Sequence, residues 1–153
     1  MKSTTTLAAV LCSAFTAFSA LTAAPAFAQA DFAAKAAAEK GATVSASGLV
    51  YLSLKDGQGA SPAATDKVKV HYRGTFPDGR EFDSSISRGQ PAEFPLNRVI
   101  ACWTEGVQRM KVGGKARLTC PPAIAYGEKG AGGVIPPNAT LQFEVELLSI
   151  SGR

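Results

Sequence analysis

Between Pro95 and Gly113 the chain carries what reads as the one helix of an otherwise strand-rich domain. Trp103, Val107 and Met110 recur at i, i+4 and i+7 and so share a helical face, while Arg109, Lys111 and Gly113 supply the basic residues and stop expected at a helix C-terminus. A helix of about two turns does not persist alone in water. Its apolar stripe needs cover, and because nearly everything after Gly48 reads as strand, that cover must be a sheet.

Period-two patterning places the strands. Lys67, Lys69, His71 and Arg73 alternate with Val68, Val70 and Tyr72, the pattern of a strand with one wet and one buried face. Leu141, Phe143, Val145 and Leu147 alternate with Gln142, Glu144 and Glu146 within a closing strand over Ala139–Ile150. Leu49–Leu54 and Lys115–Cys120 read as two more strands. Pro77-Asp78-Gly79 is a turn that folds Arg80–Asp83 back beside the Lys67–Phe76 strand. Ala92–Leu96, with prolines nearby, is at best a short edge strand. The glycine- and proline-rich stretch Ala123–Pro137 is a long loop of the kind that carries function.

The first 28 residues stand apart. Lys2 precedes an uncharged run rich in Ala, Leu and Phe from Leu7 to Ala24, then Pro25 and the small-x-small triplet Ala26-Phe27-Ala28, which predicts a secretory signal peptide cleaved after Ala28. A membrane anchor is the alternative, but Ser and Thr interrupt the run and no basic stop-transfer residues flank it. No stable membrane span is expected in the mature form; residues 29–47 would be a short arm, helical over Asp31–Lys40, with a flexible link over Thr43–Ser47. Residues 48–153 would form the single domain. Export ends in the periplasm or outside the cell.

Without Lys2 the chain holds 15 basic and 12 acidic residues, a net charge of about +3 that is too small and too scattered to argue for nucleic acid. The mature cysteines are an even pair, Cys102 and Cys120. In an oxidising compartment they invite a disulfide that contributes about 3 kcal/mol through a loop of about 19 residues, with two buried thiols as the alternative.

Covalent and metal chemistry have little to build on. There is one histidine, no Cys-x-x-Cys and no phosphate-cradling loop with a lysine, so neither a metal site nor a cofactor is expected. Aromatic and branched residues instead concentrate at element ends around one carboxylate, Asp83. Core packing accounts for Phe82, Phe143, Val99 and Ile135 on position alone, and about equally well for Trp103. A carboxylate among apolar residues and a tyrosine in a glycine-rich loop, Asp83 and Tyr126, need partners, with an exposed turn aspartate as the ordinary alternative.

Six motifs occur in register between Gly48 and Ile150: Val70-His71-Tyr72-Arg73-Gly74, Asp78-Gly79-Arg80-Glu81-Phe82-Asp83-Ser84-Ser85, Val99-Ile100-Ala101-Cys102-Trp103-Thr104-Glu105-Gly106, Ala125-Tyr126-Gly127, Ile135-Pro136-Pro137-Asn138-Ala139-Thr140-Leu141 and Phe143-Glu144-Val145-Glu146-Leu147-Leu148. In order and spacing they resemble the FKBP-type peptidyl-prolyl isomerases. Ala46-Ser47-Gly48-Leu49 and Gly57-Gln58-Gly59-Ala60-Ser61-Pro62 are similar to the exported bacterial, macrophage-infectivity-potentiator branch, whose long N-terminal helical region is here a short arm.

The resemblance implies an α+β fold, a curved antiparallel β-sheet of about five strands wrapped around one short α-helix. It implies a proline pocket with Asp83, Tyr126 and Tyr72 as catalytic residues, Phe82, Val99, Ile100, Trp103, Ile135 and Phe143 binding substrate, and Arg88 in support. A usually aromatic wall position is Ala92, which leaves part of the wall open. The implied partners are unfolded or Pro-containing polypeptides, and macrolide-type inhibitors of the family. The expected function is cofactor-free isomerisation of X-Pro bonds in exported proteins; the alternative is a chaperone or adaptor that binds such segments with incidental turnover.

Overall fold

The computed structural model describes residues 26–151. The hydrophobic run read as an export signal, Leu7–Ala24, lies outside them. The elements run α1 (Ala26–Ala38), β1 (Thr43–Val44), β2 (Val50–Lys55), β3 (Lys67–Thr75), β4 (Glu81–Ser84), α2 (Ser85–Arg88), β5 (Ala92–Pro95), α3 (Ala101–Gln108), β6 (Lys115–Cys120) and β7 (Leu141–Ser151). Short 3-10 turns occupy Leu96–Arg98 and Pro122–Ile124.

The seven strands form one antiparallel sheet in the order β1-β2-β6-β7-β3-β4, with β5 also paired to β3. This is the α+β arrangement expected, with more strands than the five or so anticipated. The additions are β1, where a flexible link was expected, and β5, the short edge strand allowed for at Ala92–Leu96, which pairs with β3 over four residues, from Lys67↔Pro95 to Val70↔Ala92. Register shifts at Ser53/Lys55, Lys69/Val70 and Gly74/Thr75 mark bulges, and bulges bend strands and increase their twist.

The predicted helical stripe is the core. Trp103, Val107 and Met110 of the α3 region are almost fully buried, at 4%, 0% and 2% exposure, against Val68, Val70, Leu118, Val145 and Leu147 of the sheet. Gly106 is what lets the helix approach so closely: a Cβ there would stand 2.7 Å from Leu118 Cδ2. Cys102 and Cys120 are joined by a disulfide, Cα–Cα 5.8 Å, which ties the first turn of α3 to the end of β6.

Helix α3 is not the only one. Ser84 caps α2, its hydroxyl accepting from the Ser87 N–H, and Gly89 closes it in the left-handed conformation. Helix α1 begins earlier than the arm expected at Asp31 and spans the cleavage position expected after Ala28. It docks on the domain. Ala36 is buried, Arg117 pairs with Glu39 at 3.1 Å, and the Thr140 N–H donates to Gln29 Oε1 at 2.6 Å.

Candidate active site

The site begins at a gap in the sheet. One edge of β3 pairs with β4 from Arg73 to Thr75 and with β5 from Lys67 to Val70, which leaves Tyr72 between the two partners. The Ser85 hydroxyl fills the gap, accepting from the Tyr72 N–H at 2.8 Å, and is itself fully buried. An unsatisfied buried N–H would cost about 1–3 kcal/mol. The detour that makes the gap is α2, and α2 returns Arg88 toward Asp83 at the end of β4.

Asp83 is then fixed from two sides. The Tyr72 hydroxyl donates to Oδ2 at 2.5 Å, Arg88 Nη1 donates to Oδ1 at 2.5 Å, and Arg88 Nη2 donates to the Tyr72 oxygen at 3.0 Å. Partial burial opposes ionisation of Asp83, but the hydrogen bonds from Tyr72 and Arg88 and the guanidinium charge outweigh it and hold the carboxyl below its ordinary range. Burial and the bond to Asp83 push the Tyr72 phenol up. At neutral pH the triangle is one carboxylate, one neutral phenol and one cation.

Beside it stands a box of aromatic rings. Tyr72, Phe94 and Phe143 stand nearly perpendicular to the Trp103 indole, at 82°, 87° and 89°, with centroids 5.2, 5.6 and 5.4 Å away. Edge-to-face pairs of this kind are favourable beyond their area, so the walls are held upright. Phe82 packs edge-on to Phe143 at 5.5 Å. Gly74 permits that contact, since a Cβ there would lie 2.5 Å from the Phe82 ring. The rings border an open cavity of about 470 Å³ lined by Tyr72, Phe82, Asp83, Phe94, Arg98, Val99, Ile100, Trp103, Tyr126 and Phe143.

Few hydrogen-bonding groups face this space unengaged. Ile100 precedes α3, so its carbonyl accepts from Trp103 and Thr104 while its own N–H has no backbone acceptor. The Trp103 indole N–H, by contrast, is buried away from the open space and has no acceptor among the described residues. Tyr126 is 38% exposed at the start of the glycine-rich loop, its phenol pushed up by burial and by the Asp83 charge. The arrangement can hold a small apolar ring over the indole and offer donors to carbonyls on either side.

Comparison with known proteins identifies the architecture. Residues 58–148 match the sequence profile of the family described as FKBP-type peptidyl-prolyl cis-trans isomerase. The chain belongs to the FKBP family. It is 56% identical over 120 residues to the FKBP-type isomerase FkpA of Aeromonas hydrophila, covering 78% of this chain and 44% of that protein. It is 54% identical over 114 residues to the FKBP-type 22 kDa isomerase of Escherichia coli, covering 74% and 55%. The chain thus spans about half the length of these curated relatives. The crystal structure of a Pseudomonas syringae peptidyl-prolyl isomerase superimposes with a TM-score of 0.77 at 40% identity, covering 86% of this chain and 99% of that one.

Within this FKBP domain eight of the expected residues, Tyr72, Phe82, Asp83, Val99, Ile100, Trp103, Tyr126 and Phe143, come together around one cavity. Arg88 sits behind it, on Asp83 and Tyr72. Ile135 does not line it; 7% exposed, it backs an adjoining groove of about 310 Å³ with Phe82, Tyr126 and Val134. Two lining residues were not anticipated. Phe94 shares a face of β5 with Ala92 and supplies the aromatic wall that Ala92 alone would leave open. Its signal was alternation on a strand discounted for its prolines. Arg98 precedes Val99 by one residue, and nothing in its local sequence separates it from a solvated surface arginine.

Proposed function

We propose that this chain is a peptidyl-prolyl cis-trans isomerase acting on unfolded or Pro-containing segments of exported polypeptides. The observation that carries the reading is the box over Trp103: three upright aromatic rings, two hydrogen-bond donors and one tethered carboxylate around about 470 Å³. Rotation about an amide costs about 18–20 kcal/mol because resonance is lost at the twisted geometry, and unassisted X-Pro rotation takes tens to hundreds of seconds. No bond has to be broken. A surface that binds the twisted amide more tightly than the planar one is sufficient, and each ~1.4 kcal/mol of that preference is tenfold in rate.

The residues offer three sources of preference. The apolar box accommodates the proline ring and favours the twisted amide, which is less polar than the planar one. The Ile100 N–H and the Tyr126 hydroxyl hold neighbouring carbonyls, which leaves rotation confined to one bond. The Asp83 carboxylate faces the rotating carbonyl, whose oxygen carries most negative charge when the amide is planar, so it disfavours the ground state more than the twisted state. Macrolide-type inhibitors of the family would compete for the same box.

The isomerase unit in this reading is 48–153, with 29–47 as an arm docked through Gln29, Ala36 and Glu39 and 1–28 as an export signal. Among the described residues no helix is long and apolar enough to cross a membrane. Expression in a bacterial host and mass spectrometry of the mature chain should return Gln29 as the first residue; a retained Met1 would contradict the export signal. The activity itself is tested on a protein whose refolding is limited by an X-Pro bond. Catalytic amounts of this chain should accelerate the slow phase, and Trp103→Ala should lose at least tenfold of that effect; an unaltered slow phase with folded wild-type protein would overturn the reading.

A further inference from the structure

Two formally charged side chains line the cavity, and they are held in opposite ways. Asp83 is neutralised on the spot by Arg88 and bonded by Tyr72. Arg98 is exposed, and no ion pair or hydrogen bond engages it among the described residues. The start of the turn that carries it, by contrast, is pinned. Arg98 ends the 3-10 turn Leu96–Arg98, whose first residue is fully buried, donates its N–H to the Asp66 carbonyl at 3.0 Å and accepts from Thr104 Oγ1 at 2.5 Å. The next two residues are Val99 and Ile100, so the free guanidinium is carried on a fixed turn directly before the N–H that would hold the substrate backbone.

From this we infer that Arg98 is a specificity-determining residue that selects substrates with Asp or Glu within two residues of the proline. The inference rests on the isomerase reading above. A chain laid across the cavity with its proline over Trp103 passes its neighbouring side chains over the rim, where the uncompensated charge is positive. An exposed ion pair contributes little, so the preference is modest, about two- to fivefold in kcat/KM. The planar fork of a guanidinium matches a carboxylate in two-point geometry. The preference is also screened, because the Debye length shrinks from about 30 Å at 0.01 M salt to about 10 Å at 0.1 M.

The test is a set of proline peptides that carry Glu, Gln or Lys before or after the proline, assayed with wild type, Arg98→Gln and Arg98→Glu. The readout is the Glu-to-Gln ratio of kcat/KM within each protein, which cancels any general loss in a variant. In wild type the ratio should be about two to five in at least one position and fall toward one as salt is raised from about 0.01 to 0.3 M. It should be near one in Arg98→Gln and below one in Arg98→Glu. A wild-type ratio of one at low salt, or a ratio unchanged in Arg98→Gln, overturns the assignment. Absence of turnover on every peptide would overturn the isomerase reading instead, and the same ratio would then be read from peptide dissociation constants.

Discussion

Tyr126 offers the cavity one hydroxyl and keeps most of its ring contacts without it, so Tyr126→Phe isolates a single hydrogen bond. Net hydrogen bonds contribute about 0.5–1.5 kcal/mol, which predicts a loss of about two- to tenfold in kcat/KM with thermal stability nearly unchanged. Peptide isomerisation and a melting curve on the same preparation check both halves. The role proposed for Asp83 sets the expected pH dependence. Its folded carboxyl pKa lies below the ordinary value of about 3.9, so its contribution to stability is fully present above that value and is lost as pH falls through the lowered one. Tyr72 and Tyr126 shift the other way, each kept neutral beyond the usual phenol value of about 10. No histidine lines the cavity. Turnover should therefore be flat from about pH 5 to about 9 and decline in acid below that range; a midpoint near neutrality would contradict these charge states. At this scale the places of Asp83 and Tyr126 on the cavity were legible because a carboxylate and a phenol among apolar residues need a reason, whereas Trp103 was set apart from ordinary core only by the family resemblance. Phe94 and Arg98 were not legible, because lining a cavity depends on where two distant elements meet.

Among the elements, β3 decides the site, since its edge is shared by β4 and β5 with Ser85 bridging the interval. Ser85→Ala would strand the Tyr72 N–H and should destabilise the domain by about 1–3 kcal/mol while loosening the Tyr72–Asp83 bond. Gly74→Ala drives a methyl into the Phe82 and Phe143 rings, 2.5 and 3.0 Å from where its Cβ would stand. It should lower both stability, by about 1–3 kcal/mol, and turnover, because the displaced rings are cavity walls. Chemical denaturation beside peptide assays measures both. The long strands were readable because alternation over Lys67–Arg73 and Leu141–Leu147 has one structural meaning. Helix α2 was written in Ser84 and Gly89, a cap and a stop on either side of four residues, but so short a segment carries no periodicity to draw attention to them. The Ala-rich arm has no strong apolar face, so its docking through Glu39 and Gln29 onto residues about a hundred positions away could not be read locally.

At the scale of the molecule, the proposed isomerisation would need the Trp103 floor held against walls that come from β3, β5 and β7. The Cys102–Cys120 disulfide links that floor to β6. Replacing both cysteines by alanine should cost about 3 kcal/mol of stability by loop entropy, yet leave turnover measurable at temperatures where the variant remains folded. The cysteine pair and the compartment implied by Leu7–Ala24 made a bridge readable as one of two alternatives, and only proximity in three dimensions chose between them. The central question is whether the box rotates a proline amide without chemistry. The most direct measurement is magnetisation exchange between the cis and trans signals of a proline peptide, recorded with and without catalytic amounts of protein. The prediction is an exchange rate that rises linearly with protein concentration, stays constant from about pH 5 to 9 and disappears in a folded Trp103→Ala variant. Exchange at the uncatalysed rate with intact wild-type protein, or full activity in Trp103→Ala, would contradict it.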